Sequence, residues 1–232
     1  MSRLVWDQTG SRKFEAGVDH VVLYTMKSTV TTSGSKYNAG VAWNGVTGIT
    51  SSPDGAEPTD LWADNIKYAT LRSAETYGAT IEAYTYPDEW AECDGSNVYT
   101  TGVYVGQQSR KAFGFAYRTM IGTDTDPDLA DQDNNYKIHV VYNCTASPSE
   151  RNYETVNDSP DAITFSWEVT STPVAIGSSV LKPTSEIVID CSQLTNSKRE
   201  AVLNKLFGGT STSAELPEPE DLLTLISTTT GT

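Results

Sequence analysis

The chain has 232 residues, a formal net charge of −14 at pH 7 and a hydrophobic fraction of 38%. This length allows one large β domain or two smaller ones, and the five Trp, twelve Tyr and five Phe argue against wholesale disorder. The acidic balance argues against a protein that holds DNA through Lys and Arg, because a negative surface repels phosphates.

Membrane and disulfide signals are weak throughout the sequence. The first twenty residues lack the apolar core of a signal peptide, and no run approaches the roughly 18 apolar residues of a membrane span. We therefore expect a protein made in the cytosol with no membrane partner. Cys93, Cys144 and Cys191 are widely spaced, which favours small core residues over a disulfide framework or a zinc site.

The N-terminal quarter predicts an arm, two strands and a loop. Residues 1–17 mix charged, polar and apolar side chains without a regular alternation, which predicts a terminal arm. Its large apolar residues, Trp6 and Phe14, would dock either on the domain or on a neighbouring subunit. Residues 19–28 and 37–43 are typical of strands. Residues 51–58 predict a loop, since Pro53 fixes φ and the following Asp-Gly favours a turn.

The next 130 residues alternate apolar and polar side chains in several short runs. This pattern predicts strands at residues 78–86, 99–106, 112–120, 136–143, 163–170 and 186–191. Pro87 ends the first of them, and an acidic helical turn follows it. The resulting fold class is mainly β, with long loops between the strands.

The C-terminal part predicts one helix and a tail. Ser197 and Glu200 form a capping box, and an apolar face through Leu206 predicts a helix packed against the sheet. From residue 210 the chain is rich in Ser and Thr and lacks Lys and Arg, so residues 210–232 predict a flexible acidic tail. A short helix after Pro219 stays open within it.

No catalytic or cofactor site is predicted. Asp124, Asp126 and Asp128 match the start of a calcium loop, but Leu129 and Asn135 occupy its Gly and Glu positions. A solvated acidic loop is favoured there, and weak calcium binding stays open. The remaining carboxylates and histidines show no spacing typical of an enzyme, so we expect neither catalysis nor a cofactor.

Five segments carry a resemblance to a known family. They are YNAGVAWNGVTGITSSPDGAEP (residues 37–58), LWADNIKY (61–68), GATIEAYTYPDEWAECDG (78–95), SPSERNYETVNDSPDAITFSWEVTSTPV (147–174) and KPTSEIVID (182–190). Together they resemble the major tail protein, or tail tube protein, of long, non-contractile-tailed bacteriophages. The resemblance spans most of residues 1–207.

The resemblance implies a β-sandwich or barrel core in residues 18–209 with a helix packed at its side. It implies hexameric rings that stack into a hollow tail tube, are assembled in the host cytoplasm and conduct double-stranded DNA without binding it. The implied partners are other copies of the chain and the tail tip or initiator, tape measure, terminator and head–tail connector proteins of the virion.

Residue roles follow from the resemblance as hypotheses. Three strand acids are candidates for the channel lining, with the outside of the tube as the open alternative: Glu75, Glu82 and Glu168. A channel lined by Lys67, Arg72 and Lys137 would contradict free sliding of DNA. The candidate contacts between subunits are the arm, the loop at residues 51–58 and the loop at residues 147–161, represented by Trp6, Phe14, Pro53, Asp54, Asn152 and Tyr153.

A different class of function stays open beside assembly. A β-sandwich binding module, such as a capsid decoration protein or a surface adhesin, fits the same composition. A stable monomer at high concentration would favour it. A β domain that acts on glycans is a more distant alternative, and it would require activity that depends on one carboxylate pair.

Overall fold

The computed structural model describes residues 4–29, 35–125, 135–153, 155, 162–177 and 181–229. The strands in chain order are β1 (Lys13–Thr25), β2 (Val41–Ala42), β3 (Val46–Ser51), β4 (Asp54–Gly55), β5 (Pro58–Ala63), β6 (Ile66–Arg72), β7 (Glu75–Thr76), β8 (Gly78–Ala83), β9 (Asn97–Thr100), β10 (Val103–Val105), β11 (Phe113–Thr123), β12 (Tyr136–Ala146), β13 (Phe165–Ser171) and β14 (Glu186–Asp190). Helices α1 (Asn196–Leu206) and α2 (Pro219–Thr228) follow them. The predicted mainly β fold is confirmed.

One antiparallel sheet of eight strands organises the molecule. Its order is β2-β1-β11-β12-β13-β8-β3, and β14 also pairs with β12. The edge of β12 that faces away from β11 pairs with two strands in turn. Residues 137–141 pair with β14, and residues 144–146 pair with β13. The two end strands β2 and β3 are joined by residues 43–45, where Trp43 N donates to Val21 O. The sheet therefore folds back on itself as a barrel-like sandwich.

Aromatic side chains fill the interior of this sandwich. Trp43, Trp90 and Trp167 lie within 5.5 Å of one another between ring centroids, and Phe113 meets Trp90 at 4.9 Å. Trp90 comes from the short 3₁₀ helix Asp88–Glu92 and is fully buried. Alternation on β8 and β13 supplies Ile81 and further apolar residues to the same interior.

The helices cover the opposite face of the sheet. Val202 and Leu206 of α1 pack with Ile138 and Tyr142 of β12, and the Tyr24 hydroxyl donates to the carbonyl of Leu206. This places the helix against the sheet, as predicted. The capping prediction is wrong, because Thr195 is the N-cap and Ser197 lies inside the first turn. Arg199 anchors that turn by donating to the carbonyl of Cys191 at 3.1 Å.

The residues after 210 differ from the flexible tail that the sequence predicts. Leu216 and Leu222 are fully buried, and Lys36 Nζ donates to Glu218 Oε2 at 2.8 Å. The open possibility of a short helix after Pro219 is realised as α2. Proline at the first helical position favours the start of a helix. Apolar residues at helical spacing then give the helix one face that can be buried, although the segment as a whole is polar.

The N-terminal arm is also shorter than predicted. Strand β1 starts at Lys13, so Phe14 pairs with Gly122 of β11 instead of lying on an arm. The Phe14 ring occupies the space that a Cβ at residue 122 would fill. Two residues with positive φ, Gly17 at 75° and His20 at 49°, interrupt the alternation, which explains why no period is visible there. Within the described residues, neither helix is long and apolar enough to cross a membrane.

Candidate assembly surfaces

Two of the three candidate channel acids share one sheet face. On β8 and β13 the apolar residues point into the aromatic core, so their polar neighbours point outwards. Glu82 lies opposite Ser166, and Glu168 lies opposite Thr80 in the ladder. Both glutamates are exposed and stand on the same outer face.

This outer face continues onto the adjoining strands. Thr50 of β3 lies opposite Thr80, and Thr145 of β12 lies opposite Thr170 with 3.4 Å between the hydroxyl oxygens. Strands β3, β8 and β13 contain no Lys or Arg. We call this surface the hydroxyl face; its members are Thr50, Thr80, Glu82, Thr145, Ser166, Glu168 and Thr170. It carries small hydroxyl groups and two negative charges.

The other residues considered for the channel lie elsewhere. Glu75 belongs to β7, outside the strands β3, β8, β12 and β13 that contribute to the hydroxyl face. Lys67 and Arg72 belong to β6, where Lys67 pairs with Asp60 at 2.8 Å. Lys137 lies near the start of β12, whereas Thr145 of the hydroxyl face lies near the end of that strand, and Lys137 forms an ion pair with Glu15. The structure therefore separates the basic candidates from the hydroxyl face.

A long hairpin extends from the edge of the hydroxyl face. Strands β5 and β6 pair along their length, and Asp64 and Asn65 form the turn with φ of 52° and 63°. Two adjacent positive φ values are typical of a type I′ turn. Large apolar side chains are exposed on it, among them Trp62 at 69% and Tyr68 at 73%. We call residues 58–72 the apolar hairpin.

The loop predicted at residues 51–58 is the stem of this hairpin. Asp54 and Gly55 form β4 and pair with β7, while Pro58 begins β5. The Asp54 carboxylate accepts from the Gly55 N–H at 2.7 Å, and Ala56 adopts a positive φ of 59°. The turn chemistry recognised in the sequence is therefore present, but it bends a paired ribbon and does not form an irregular loop.

Several sheet edges are open among the described residues. Strand β3 pairs only with β8, and β14 pairs only with β12. Residues 13–19 of β1 pair only with β11. Unpaired N–H and C=O groups along such edges are templates for a strand from another molecule.

The remaining candidate contact residues lie at the surface. Trp6 is 74% exposed and Tyr153 is 68% exposed, and Asn152 stands beside Tyr153 in an exposed segment. Residues 154 and 156–161 of the predicted contact loop lie outside the described residues. So do residues 126–134, which hold most of the acidic loop for which weak calcium binding was left open. In the described part of the chain no three His, Cys, Asp or Glu side chains are arranged to hold a metal ion.

A charged cluster on β1, β11, β12 and β14 was missed by the sequence patterns. His139 Nδ1 lies 3.0 Å from Glu186 Oε1, and His139 Nε2 lies 3.2 Å from Thr119 Oγ1. Partial burial would raise the pKa of Glu15, but hydrogen bonds from Lys137 and Thr119 outweigh it and hold that pKa below its ordinary value. The Glu15 carboxylate therefore stays ionised, and this cluster ties four strands together.

Comparison with known proteins yields structural likenesses only. No protein family model and no curated protein matches the sequence. A chain of the six-fold symmetrised baseplate of the anti-feeding prophage is 7% identical with a TM-score of 0.34, over 84% of this chain and 100% of that one. A chain of the sheath–tube complex of an extracellular contractile injection system is 9% identical with a TM-score of 0.28, over 74% and 88%. With TM-scores this low, neither likeness assigns a fold or a function.

The apolar hairpin is the main surface feature that sequence patterns missed. The signal that would have located it is the Asp64-Asn65 pair between two short apolar runs, which favours a type I′ turn. The hydroxyl face, by contrast, was partly predicted, because the alternation on β8 and β13 identified Glu82 and Glu168 as polar-side residues.

Proposed function

We propose that this chain is a structural subunit of a phage-type tail tube, in which hexameric rings stack around a channel that conducts double-stranded DNA. The hydroxyl face carries the proposal. It is a continuous surface of hydroxyl groups and carboxylates on β3, β8 and β13, which contain no Lys or Arg, and it extends to Thr145 near the end of β12. The ring number, the virion location and the other tail components named above come from the resemblance and belong to this proposal.

Charge explains why such a face suits a channel. Lys and Arg bind DNA by displacing the cations condensed on its phosphates, and β3, β8 and β13 offer neither residue. Glu82 and Glu168 repel the phosphates, so the duplex is held away from the wall. The apolar side chains of the same strands are locked in the aromatic core, which fixes the polar side chains outwards. The lining is therefore a rigid surface that does not grip the duplex.

Open edges supply the contacts within a ring. Strand β3 and strand β14 lie at different positions in the sheet, and each has one unpaired edge among the described residues. Two different edges allow each copy to pair with two neighbours, as a closed ring requires. Closure would also remove the exposed edges that otherwise promote aggregation.

The apolar hairpin supplies the contacts between rings. Burying a large apolar side chain such as Trp62 or Tyr68 stabilises an interface by about 1.5–3 kcal/mol. A monomer gains nothing by exposing several of them on one ribbon, whereas a stacked neighbour would cover them. The segment at residues 4–6, which contains Trp6, offers a second apolar contact.

Negative-stain electron microscopy of the concentrated full chain tests the proposal. We expect rings or hollow tubes, since moderate salt screens the repulsion between acidic subunits. The double variant Trp62→Ser/Tyr68→Ser should stay folded and form at most single rings, because its hairpin loses its apolar anchors. Thr59→Ala on the same hairpin is the matched control and should form tubes like the natural chain.

Two results would contradict the proposal. Monodisperse monomers at every salt and protein concentration would favour the binding module, unless a tail initiator complex restores polymerisation. Tubes that bind duplex DNA tightly at physiological salt would contradict the role given to the hydroxyl face.

A further inference from the structure

Two adjoining cavities lie beside the hairpin formed by β9 and β10, on either side of the ion pair between Asp94 and Arg151. Their volumes are about 250 and 440 Å³, and both are lined by Asp94, Ser96 and Arg151. We call them together the Asp94 groove. Ligand sites in proteins are usually concave features of about 300–1,000 Å³, and the second cavity lies within that range while the first lies just below it.

Aromatic rings form the wall of the first cavity. Tyr86 stands edge to face against Phe165 at 5.3 Å and against Trp167 at 5.6 Å, so its ring is held by the aromatic core. Tyr104 of β10 faces the same cavity, and its hydroxyl donates to Asp88 Oδ1 at 3.3 Å. A tyrosine wall of this kind offers a flat apolar surface with polar tips.

Polar groups surround the second cavity. Its lining includes Ser96, Gln107, Gln108, Arg110 and Ser149. The Asp94 side chain is only 7% exposed, because Arg110 at 3.6 Å and Arg151 enclose it. Arg110 in turn donates to the carbonyl of Ala146 at 3.2 Å. Asp94 and Arg110 are therefore held in place by the protein, whereas the exposed Gln107 and Gln108 side chains can adjust to a ligand.

The charges of the groove cancel. Asp88 and Asp94 supply two negative charges, while Arg110 and Arg151 supply two positive ones. The carboxylates would repel an anionic ligand and the guanidinium groups would repel a cationic one, so neither sign of charge is favoured. A neutral ligand with an apolar face for the tyrosines and several hydroxyl groups for the amides, serines and carboxylates fits all of these groups at once.

We propose that the Asp94 groove binds a neutral saccharide of one to three units. The sugar ring packs its C–H face against Tyr86 and Tyr104, and its hydroxyl groups bond to Asp94, Arg151 and the polar side chains of the second cavity. The groove is built by one chain and shares no lining residue with the hydroxyl face or the apolar hairpin. Pro148, Ser149 and Arg151 of its lining belong to the candidate contact loop at residues 147–161, so binding is also measured on the monomeric chain at low salt, where no neighbouring subunit covers the groove.

Saturation-transfer difference NMR of the full chain tests this site, because the method detects weak binding to a monomer and to a large assembly alike. The probes are cellobiose, maltotriose and N,N′-diacetylchitobiose at millimolar concentrations. We expect saturation transfer to the ring C–H protons of at least one probe. Tyr104→Ala should weaken binding about tenfold or more, since it removes half of the aromatic wall.

Tyr99→Ala is the matched control. Tyr99 lies on the same hairpin, is 82% exposed and does not line the groove, so this variant should bind like the natural chain. Arg151→Met removes a polar partner while keeping the length of the side chain, and it should also weaken binding.

Three outcomes would overturn the assignment. The first is no transfer to any of the three probes. The second is unchanged binding by both Tyr104→Ala and Arg151→Met. The third is tighter binding of glucuronic acid or glucosamine than of the neutral probes, which would show that the groove selects a charge.

Discussion

At the scale of single residues, the ion pair between Asp19 and Arg118 fixes the irregular part of β1. Arg118 donates from Nε and Nη2 to the two carboxylate oxygens of Asp19, each at 2.7 Å. The guanidinium also lies over the Tyr136 ring, 4.8 Å from its centre. Asp19 sits between the two positive-φ residues of the strand, so this fork ties the bulged segment to β11.

Replacing Asp19 by Asn should lower stability in a pH-dependent way. Partial burial would raise the pKa of Asp19, but the hydrogen bonds and charge of Arg118 outweigh it and lower that pKa in the folded state. The contribution is therefore present above the unfolded pKa of about 3.9 and is lost as pH falls through the folded value. We expect Asp19→Asn to cost about 1 kcal/mol at pH 7. Urea denaturation should show this difference shrinking below about pH 4.

The control for this series is Glu168→Gln, which removes an exposed acid outside the ion pair. Its denaturation midpoint should follow that of the natural chain at each pH. A constant difference between Asp19→Asn and the natural chain from pH 7 to pH 3 would contradict the electrostatic origin and would indicate a change in packing.

At the scale of elements, α2 holds the C-terminal segment against α1 and the sheet. It packs beside α1, and Leu222 enters the core formed with Tyr24 and Tyr142. The ion pairs Lys36–Glu218 and Lys205–Glu215 join this C-terminal segment to the rest of the fold. Partly exposed ion pairs contribute little, so the buried leucines carry most of its stabilising effect.

Leu222→Ala should therefore destabilise the whole domain. Removing a fully buried leucine leaves a cavity and costs about 2–5 kcal/mol. Thr224→Ala, at an exposed position of the same helix, should change the free energy of unfolding by less than about 0.5 kcal/mol. Equilibrium denaturation in urea measures both. Equal stability of the two variants would mean that α2 is not packed against the core and would favour the flexible tail that the sequence predicts.

The elements differ in how far the sequence could predict them. Strands such as β12 and β13 alternate because one face is buried, and that pattern located them to within a few residues. The apolar hairpin gave no such pattern, since both of its faces are exposed and its apolar residues have no core to face. The second half of β1 was predicted within residues 19–28, whereas its first half was missed because bulges shift the alternation at Gly17 and His20.

The candidate sites follow the same logic. Glu82 and Glu168 were identified because each belongs to a regular strand, so the outward direction of its side chain follows from its neighbours. The Asp94 groove combines residues 86–96, 104–110 and 148–151, which only the folded chain brings together. Local patterns cannot reveal a site whose parts are separated by whole strands.

At the scale of the whole molecule, charge sets the conditions for assembly. Sixteen basic and thirty acidic residues leave each chain with a net charge of −14, so copies repel one another at long range. The surfaces proposed to join them act at short range: open backbone edges on β3 and β14 and the apolar side chains of residues 58–72. The proposed association is thus a balance between a repulsion that salt screens and short-range contacts that salt leaves almost unchanged.

This balance predicts that salt promotes polymerisation. The Debye length falls from about 30 Å at 0.01 M to about 3 Å at 1 M ionic strength, which removes the repulsion between neighbouring subunits. Sedimentation velocity at fixed protein concentration should therefore show monomers at low salt and increasingly large particles as NaCl is raised. Trp62→Ser/Tyr68→Ser should blunt this response, because its short-range attraction is reduced. Assembly that weakens with salt would contradict the balance and would mean that ion pairs between subunits, and not backbone edges and apolar contacts, hold the copies together.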